Sequence, residues 1–242
     1  MKKIGVAVMA ALLMAAVCGC EEGEPPLSTV SDTSVSQAET SVISKNKTDT
    51  VSVPSESIPF EEACAILDTC GAKETGLPQS MKDFQKYYFG TVQYYGKAYY
   101  SIYPYVESND QKIFVGTNLL VSCSDGGLVL KKSWLGVYEE VPTGTAAEDL
   151  SWKEQYPDAK ISPTDAVKVL AEKNLGLERP LSDYVFEFLE ETETAQGIPC
   201  YVVTPKMELT NSTQLLKKMY LSADGSGAVF QAVSAGEYTQ LA

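Results

Sequence analysis

The chain has 242 residues, with 19 Lys and Arg against 32 Asp and Glu, a formal charge of −13 and no His. That balance repels phosphate backbones, which need a cationic footprint, so nucleic acid is excluded as a partner. The lack of His excludes Ser-His-Asp triads, Cys-His dyads and His-based zinc or iron sites. Hydrophobic residues make up 44% of the chain, enough for most of it to fold.

Lys2 and Lys3 precede an apolar run from Ile4 to Val17, followed by Cys18-Gly19-Cys20. A charged start and a short apolar core are the layout of a secretory signal. Fourteen apolar residues fall short of the ~20 that span a bilayer as a helix. Residues 21–57 then change character. They hold no aromatic residue, 14 of the 37 are Ser or Thr, and seven acids face two lysines. Such a segment buries too little apolar surface to offset its ordering entropy, so it is expected to be a disordered tether. As a flexible coil it would span roughly 30–37 Å.

The body from residue 58 onward echoes itself at an offset of about one hundred residues. Ile58-Pro-Phe-Glu-Glu-Ala-Cys-Ala-Ile-Leu67 lines up with Ile161-Ser-Pro-Thr-Asp-Ala-Val-Lys-Val-Leu170. Both runs carry apolar residues at helical spacing. Ser162, Pro163 and Asp165 read as a helix start: cap, first-turn proline and acid. Gly71 and Gly176 read as helix stops. Further on, Gly96, Tyr100, Pro104 and Glu107 match Gly197, Tyr201, Pro205 and Glu208, in stretches rich in Tyr, Val, Ile and Leu and punctuated by turn residues. The expected fold is therefore α+β, a tandem duplication in which each unit is one helix packed on a three- to four-stranded antiparallel meander. The boundaries are 1–19 for the signal, 20–57 for the tether, 58–133 for the first unit, 134–157 for a connector and 158–242 for the second. Trp134 and Trp152 in the connector are expected to pack at the junction.

Two resemblances follow from these residues. Val17-Cys18-Gly19-Cys20 resembles the bacterial lipobox, with Cys20 at the position that receives the lipid. The resemblance implies a protein held at the extracytoplasmic face of the cell membrane, its Cys20 carrying a diacylglyceryl group. Two acyl chains give stable attachment where one binds only marginally. The helix opening at Ile161-Ser-Pro-Thr-Asp-Ala166 and the closing Met219-Tyr-Leu-Ser-Ala-Asp-Gly-Ser-Gly-Ala-Val-Phe230 are similar to PepSY domains. The likeness covers 161–233 best and 58–130 more loosely. It implies a small secreted module acting as a propeptide, an inhibitor or a binding domain, without catalytic residues.

The remaining motifs have bland explanations. Ser124-Asp-Gly-Gly127 and Asp224-Gly-Ser-Gly227 lack the alternating acids of a calcium loop and read as hairpin turns. Ser44-Lys-Asn-Lys47 falls in the tether without the partners of a penicillin-interacting enzyme. Glu187, Glu190, Glu191 and Glu193 read as a solvated edge strand; the alternative is a carboxylate pair acting on glycans. Cys64, Cys70, Cys123 and Cys200 are not mirrored between units and read as free, small hydrophobes, though an exported protein permits disulfides. No metal or other cofactor is called for.

The region 84–105 stands out, with ten aromatic residues. Period-2 parity puts Tyr100 with Ile102 and Val106 on a core face. It puts Tyr99, Tyr103 and Tyr105 on the other, where the second unit has Cys200, Thr204 and Lys206. Those three tyrosines are the candidate ligand-binding residues, since Tyr gives large contact area with little rotamer entropy to lose. Cross-strand packing is the competing explanation. The function expected is a non-catalytic, lipid-anchored binding or inhibitory module whose partner is a protein, a peptide or a cell-wall glycan. A His-free hydrolase of wall glycans and a structural accessory subunit of a membrane complex are the alternatives.

The anchor is tested by fractionation. Cys20→Ala is expected to move the protein from the membrane to the soluble fraction, and Cys18→Ala to leave it in place. Membrane retention of the Cys20 variant would end the lipoprotein assignment.

Overall fold

The computed structural model describes residues 52–242 apart from 125, 134–136 and 209–212. The lipobox, Cys20, Trp134 and most of the tether lie outside the described residues.

The first half opens with helix α1 (Phe60–Leu67) and the short α2 (Ala72–Thr75). Six strands follow: β1 (Gln85–Tyr94), β2 (Lys97–Ser108), β3 (Gln111–Val115), β4 (Leu119–Ser122), β5 (Val129–Lys132) and β6 (Tyr138–Val141). Helices α3 (Trp152–Gln155) and α4 (Pro163–Lys168) lead to the second half. It comprises β7 (Val185–Ala195), β8 (Ile198–Glu208), β9 (Thr213–Leu215), β10 (Met219–Ser222), β11 (Val229–Ser234) and β12 (Glu237–Leu241).

Local chemistry sets these elements. The tight hairpins turn on residue pairs with positive φ: Tyr95-Gly96 between β1 and β2, Asn109-Asp110 between β2 and β3, and Gln196-Gly197 between β7 and β8. Two such residues form the turn whose twist matches paired strands. The expected start of α4 is present, with Pro163 in its first turn and Ser162 Oγ accepting from Asp165 N at 3.1 Å. Gly71 is not a helix stop. Its φ is −69°, and α1 ends at Leu67, capped by Asp68. The glycine is needed for space: a Cβ there would meet Thr145 Oγ1 at 3.0 Å and Asp149 Oδ1 at 3.2 Å.

The expected pair of separate helix-on-meander units is overturned. The four helices are only four to eight residues long. All twelve strands join one mixed sheet in the order β12-β11-β10-β8-β7-β3-β2-β4-β5-β6, with β1 on β2 and β9 on β8. At its centre β3 and β7 run parallel, Phe114 opposite Val185 and Val115 opposite Phe186. The reason is apolar area. Phe114 and Val115 would lie at the open edge of a free-standing meander, and β7 pairs with them there. The stretch expected to be only a connector contributes a sheet strand, β6.

One core cluster runs along one face of the sheet. It includes Leu67 of α1, Leu170 after α4, and Tyr100, Ile102, Tyr201 and Val203. Trp152 is partly buried against it. Tyr100 and Tyr201 make equivalent bonds: each hydroxyl donates over 2.7 Å to a carbonyl ahead of a helix, Ile58 O and Ile161 O respectively. A buried tyrosine thus ties each helix entry to the sheet. Tyr201→Phe keeps the ring but leaves Ile161 O without that donor, so a loss of about 1–3 kcal/mol is expected in denaturant unfolding. Tyr100→Ala, which empties a core site, should cost about 3–5 kcal/mol. A Tyr100→Ala variant as stable as the parent would show that this face is not the core.

Candidate functional site

The sequence placed Tyr99, Tyr103 and Tyr105 on an open face of β2. That expectation is corrected: Tyr99 is 3% exposed, Tyr103 is 4% exposed and Tyr105 is half-buried. β2 is covered on both faces. Tyr99 packs with Leu120 of β4 and Leu130 of β5, with Val92, Tyr94 and Tyr138 against them. Tyr103 packs with Phe114 and Val185, the pair at the parallel joint, and Tyr105 lies against them. The Tyr103 hydroxyl donates to Glu208 Oε2 at 3.1 Å, and Lys132 Nζ stands 3.8 Å from the same oxygen. Burial, with the Glu208 charge beside it, holds the Tyr103 hydroxyl well above the usual tyrosine range; burial pushes Tyr138 up to about 12. These tyrosines are packing and inter-strand links.

The open aromatics lie one strand further out. Tyr87 is 37%, Tyr88 42% and Phe89 39% exposed on β1, and Tyr95 in its turn is 89% exposed. Register explains their sides. Tyr87 lies opposite Tyr103 on the second face, whereas Tyr88 lies opposite Ile102 and packs on Phe60 of α1. The register slips between Tyr88 and Gly90, leaving Phe89 in a bulge. The bulge aims its ring at Tyr103, with centroids 5.7 Å apart.

Tyr87 and Phe89 form one wall of a cleft of about 590 Å³, lined also by Asp110, Lys112, Phe114 and Leu181. Lys112 Nζ lies 5.8 Å from the ring centroids of both Tyr87 and Tyr105, within cation–π range. The cleft borders a backbone edge. Among the described residues β1 pairs with β2 alone, so one side of a ten-residue strand has no strand partner.

The acids of β7 differ in their surroundings. Glu190, Glu191 and Glu193 are exposed, and Glu187 is salt-bridged to Lys206. A second cleft of about 580 Å³ runs between this edge and α2, with Glu148 and Asp149 across it. Partial burial raises the Asp149 carboxyl above its usual range, but its Oδ1 is engaged in accepting from Ala72 N at 2.8 Å, holding α2 to the connector. Among the described residues no three His, Cys, Asp or Glu side chains group closely enough to hold a metal ion. Cys64, Cys70, Cys123 and Cys200 are free thiols, and burial pushes Cys70 and Cys200 up to about 11.

Known protein families, curated proteins and solved structures offer no match to the chain.

The exchange of roles between β2 and β1 can be measured. Tyr103→Ala is expected to destabilise by about 3–5 kcal/mol, as other buried aromatic truncations do. Tyr87→Ala should cost less than ~1 kcal/mol, as exposed changes usually do. The reverse ranking in chemical denaturation would return the open face to β2.

Proposed function

We propose that the protein is a membrane-anchored, extracytoplasmic, non-catalytic binding module that takes an extended segment of a protein partner along the free edge of β1. The observation that carries this reading is a contrast between two edges. β7 and β1 hold corresponding places beside β8 and β2, each joined by a two-residue turn. Both strands carry a bulge, at Phe89 in β1 and between Phe188 and Thr192 in β7, but the β7 edge is also blunted by three exposed acids. Charges are one way in which soluble proteins keep edge strands from pairing with other chains. β1 has one charged residue in ten, Lys86, whose Nζ is bound to Asp68 Oδ1 at 2.5 Å. In place of charges it presents Tyr87, Tyr88 and Phe89. An unpaired backbone supplies affinity for an extended segment, and alternate side-chain sites supply selectivity.

A strand ligand fits the cleft better than a sugar because it would satisfy the outward amides and carbonyls of β1 as well as cover the rings. The lipobox-like Val17–Cys20 supports the anchor, and the tether would hold this edge clear of the lipid. No helix among the described residues is long and apolar enough to cross a membrane. The likeness to PepSY modules agrees with a binding or inhibitory role.

A photo-cross-linking residue at Phe89 in living cells tests the reading. It is expected to trap a polypeptide, and the same residue at Leu150, exposed but remote in sequence from β1, should not. Equal trapping at both positions, or trapping of glycan alone, would overturn strand addition.

A further inference from the structure

The sheet contains one strand-to-strand joint whose two components each occur a second time, uncovered. In the closed joint the outer edge of β3 takes the start of β7. Phe114 faces Val185, Gly116 N donates to Phe186 O at 2.9 Å, and Phe114 is only 4% exposed. The next stretch of β7 then lines a groove shared with Gly76, Leu77 and Pro78.

β9 is the same acceptor left open. Leu215 lies opposite Lys206 of β8 as Phe114 lies opposite Tyr105 of β2. Among the described residues β9 pairs with β8 alone, and Leu215 is 62% exposed. Beside it runs a groove of about 570 Å³ lined by Leu175, Gly176, Leu177, Leu216 and Leu241. Gly176-Leu177 occupy the place of Gly76-Leu77.

β1 is the same donor left open. Gln85 faces Tyr105 as Val185 faces Lys206, and Tyr88 faces Ile102 as Phe188 faces Val203. Phe188 is 8% exposed, whereas Tyr88 is 42% exposed.

We propose that β9 and its leucine groove take β1 of a second copy of this chain, repeating between molecules the joint that β3 and β7 make within one. The proposal rests on β1 being a strand-addition edge and names the segment that adds to it. Tyr87, Tyr88 and Phe89 supply the apolar area that Leu215 and the groove leucines lack. Gln85 and Lys86 stand where β7 has Val185 and Phe186, so the joint between molecules is weaker than the internal one. Residues 58–242 also carry 25 acids against 15 bases, so copies repel. Association therefore strengthens with salt, which screens that repulsion. Donor and acceptor are different surfaces, so the contact is heterologous and extends into an open row.

Thiol cross-linking of the full-length chain in detergent micelles tests this. Gln85→Cys and Leu215→Cys replace exposed side chains that the joint would bring opposite each other, so both variants should melt as the parent does. With a short bis-maleimide, a mixture of the two single variants should give a dimer, and a chain carrying both should give a ladder that lengthens from low to high salt. Two results would overturn the proposal: Leu215→Cys linking mainly to itself, or products no greater than those of the parent with its native cysteines. If the ladder is absent while Phe89 still traps another polypeptide in cells, strand addition stands and the second copy is excluded as the occupant. If both are absent, the reading of β1 fails with it.

Discussion

Everything on the outer side of the sheet follows from β2 being buried on both faces. Seven consecutive residues, Ala98–Pro104, are buried, so the middle of this strand has no surface to offer a ligand. Its core face is held by Tyr100 and the helices, its other face by Leu120, Leu130 and the Phe114–Val185 joint. A strand covered in this way needs partners along both edges. β3 and β4 lie in tandem along one, and β1 fills the other. β1 inherits the exposure that β2 gives up. Its rings are half-supported, Tyr88 by Tyr100 on the core face and Phe89 by Tyr103 on the other, and half-open to water.

The parallel joint makes a second constraint. A parallel pair of only two residues is a small contact for joining two halves of a sheet. It holds because the side chains around it pack on both sides: Ile113 and Phe186 in the main core, Phe114 and Val185 with Tyr103 on the other face. The Tyr103–Glu208 bond spans the same seam, linking β2 to the end of β8. The proposed binding edge and the seam thus share one aromatic layer, since Tyr87 and Phe114 lie in edge contact at 5.4 Å. A ligand on Tyr87 would rest against the residues that join the two halves.

Part of this was legible in the sequence. The cap at Ser162 and the core tyrosines Tyr100 and Tyr201 are local or periodic features, and both are present as read. The misplacement of Tyr99 and Tyr103 came from treating β2 as a strand with one buried face. Ala98–Val106 is also an almost unbroken apolar and aromatic run between turn signals, the mark of a strand buried on both sides. Parity cannot separate the faces of such a run. The single sheet was not legible because Phe114 and Val185 lie far apart in the chain and nothing local pairs them. The open edge of β1 was missed for the same reason: an edge is defined by what does not pair with it. Its one sequence signal was the lack of charge in Tyr87-Tyr-Phe-Gly-Thr-Val92 against the four acids of Glu187–Glu193.

Residue-resolved amide hydrogen exchange of the isolated chain tests the central claim most directly, because it reads backbone pairing without a ligand. An open edge gives alternation along Gln85–Tyr94: amides bonded to β2 protected, amides facing outward exchanging fast. Tyr99–Ile102 of β2 should show no such alternation, since β1 and β4 pair both its edges. Uniform protection along β1 in the dilute monomer at low salt, where copies do not associate, would mean that its edge is already covered within one chain, and would contradict the account.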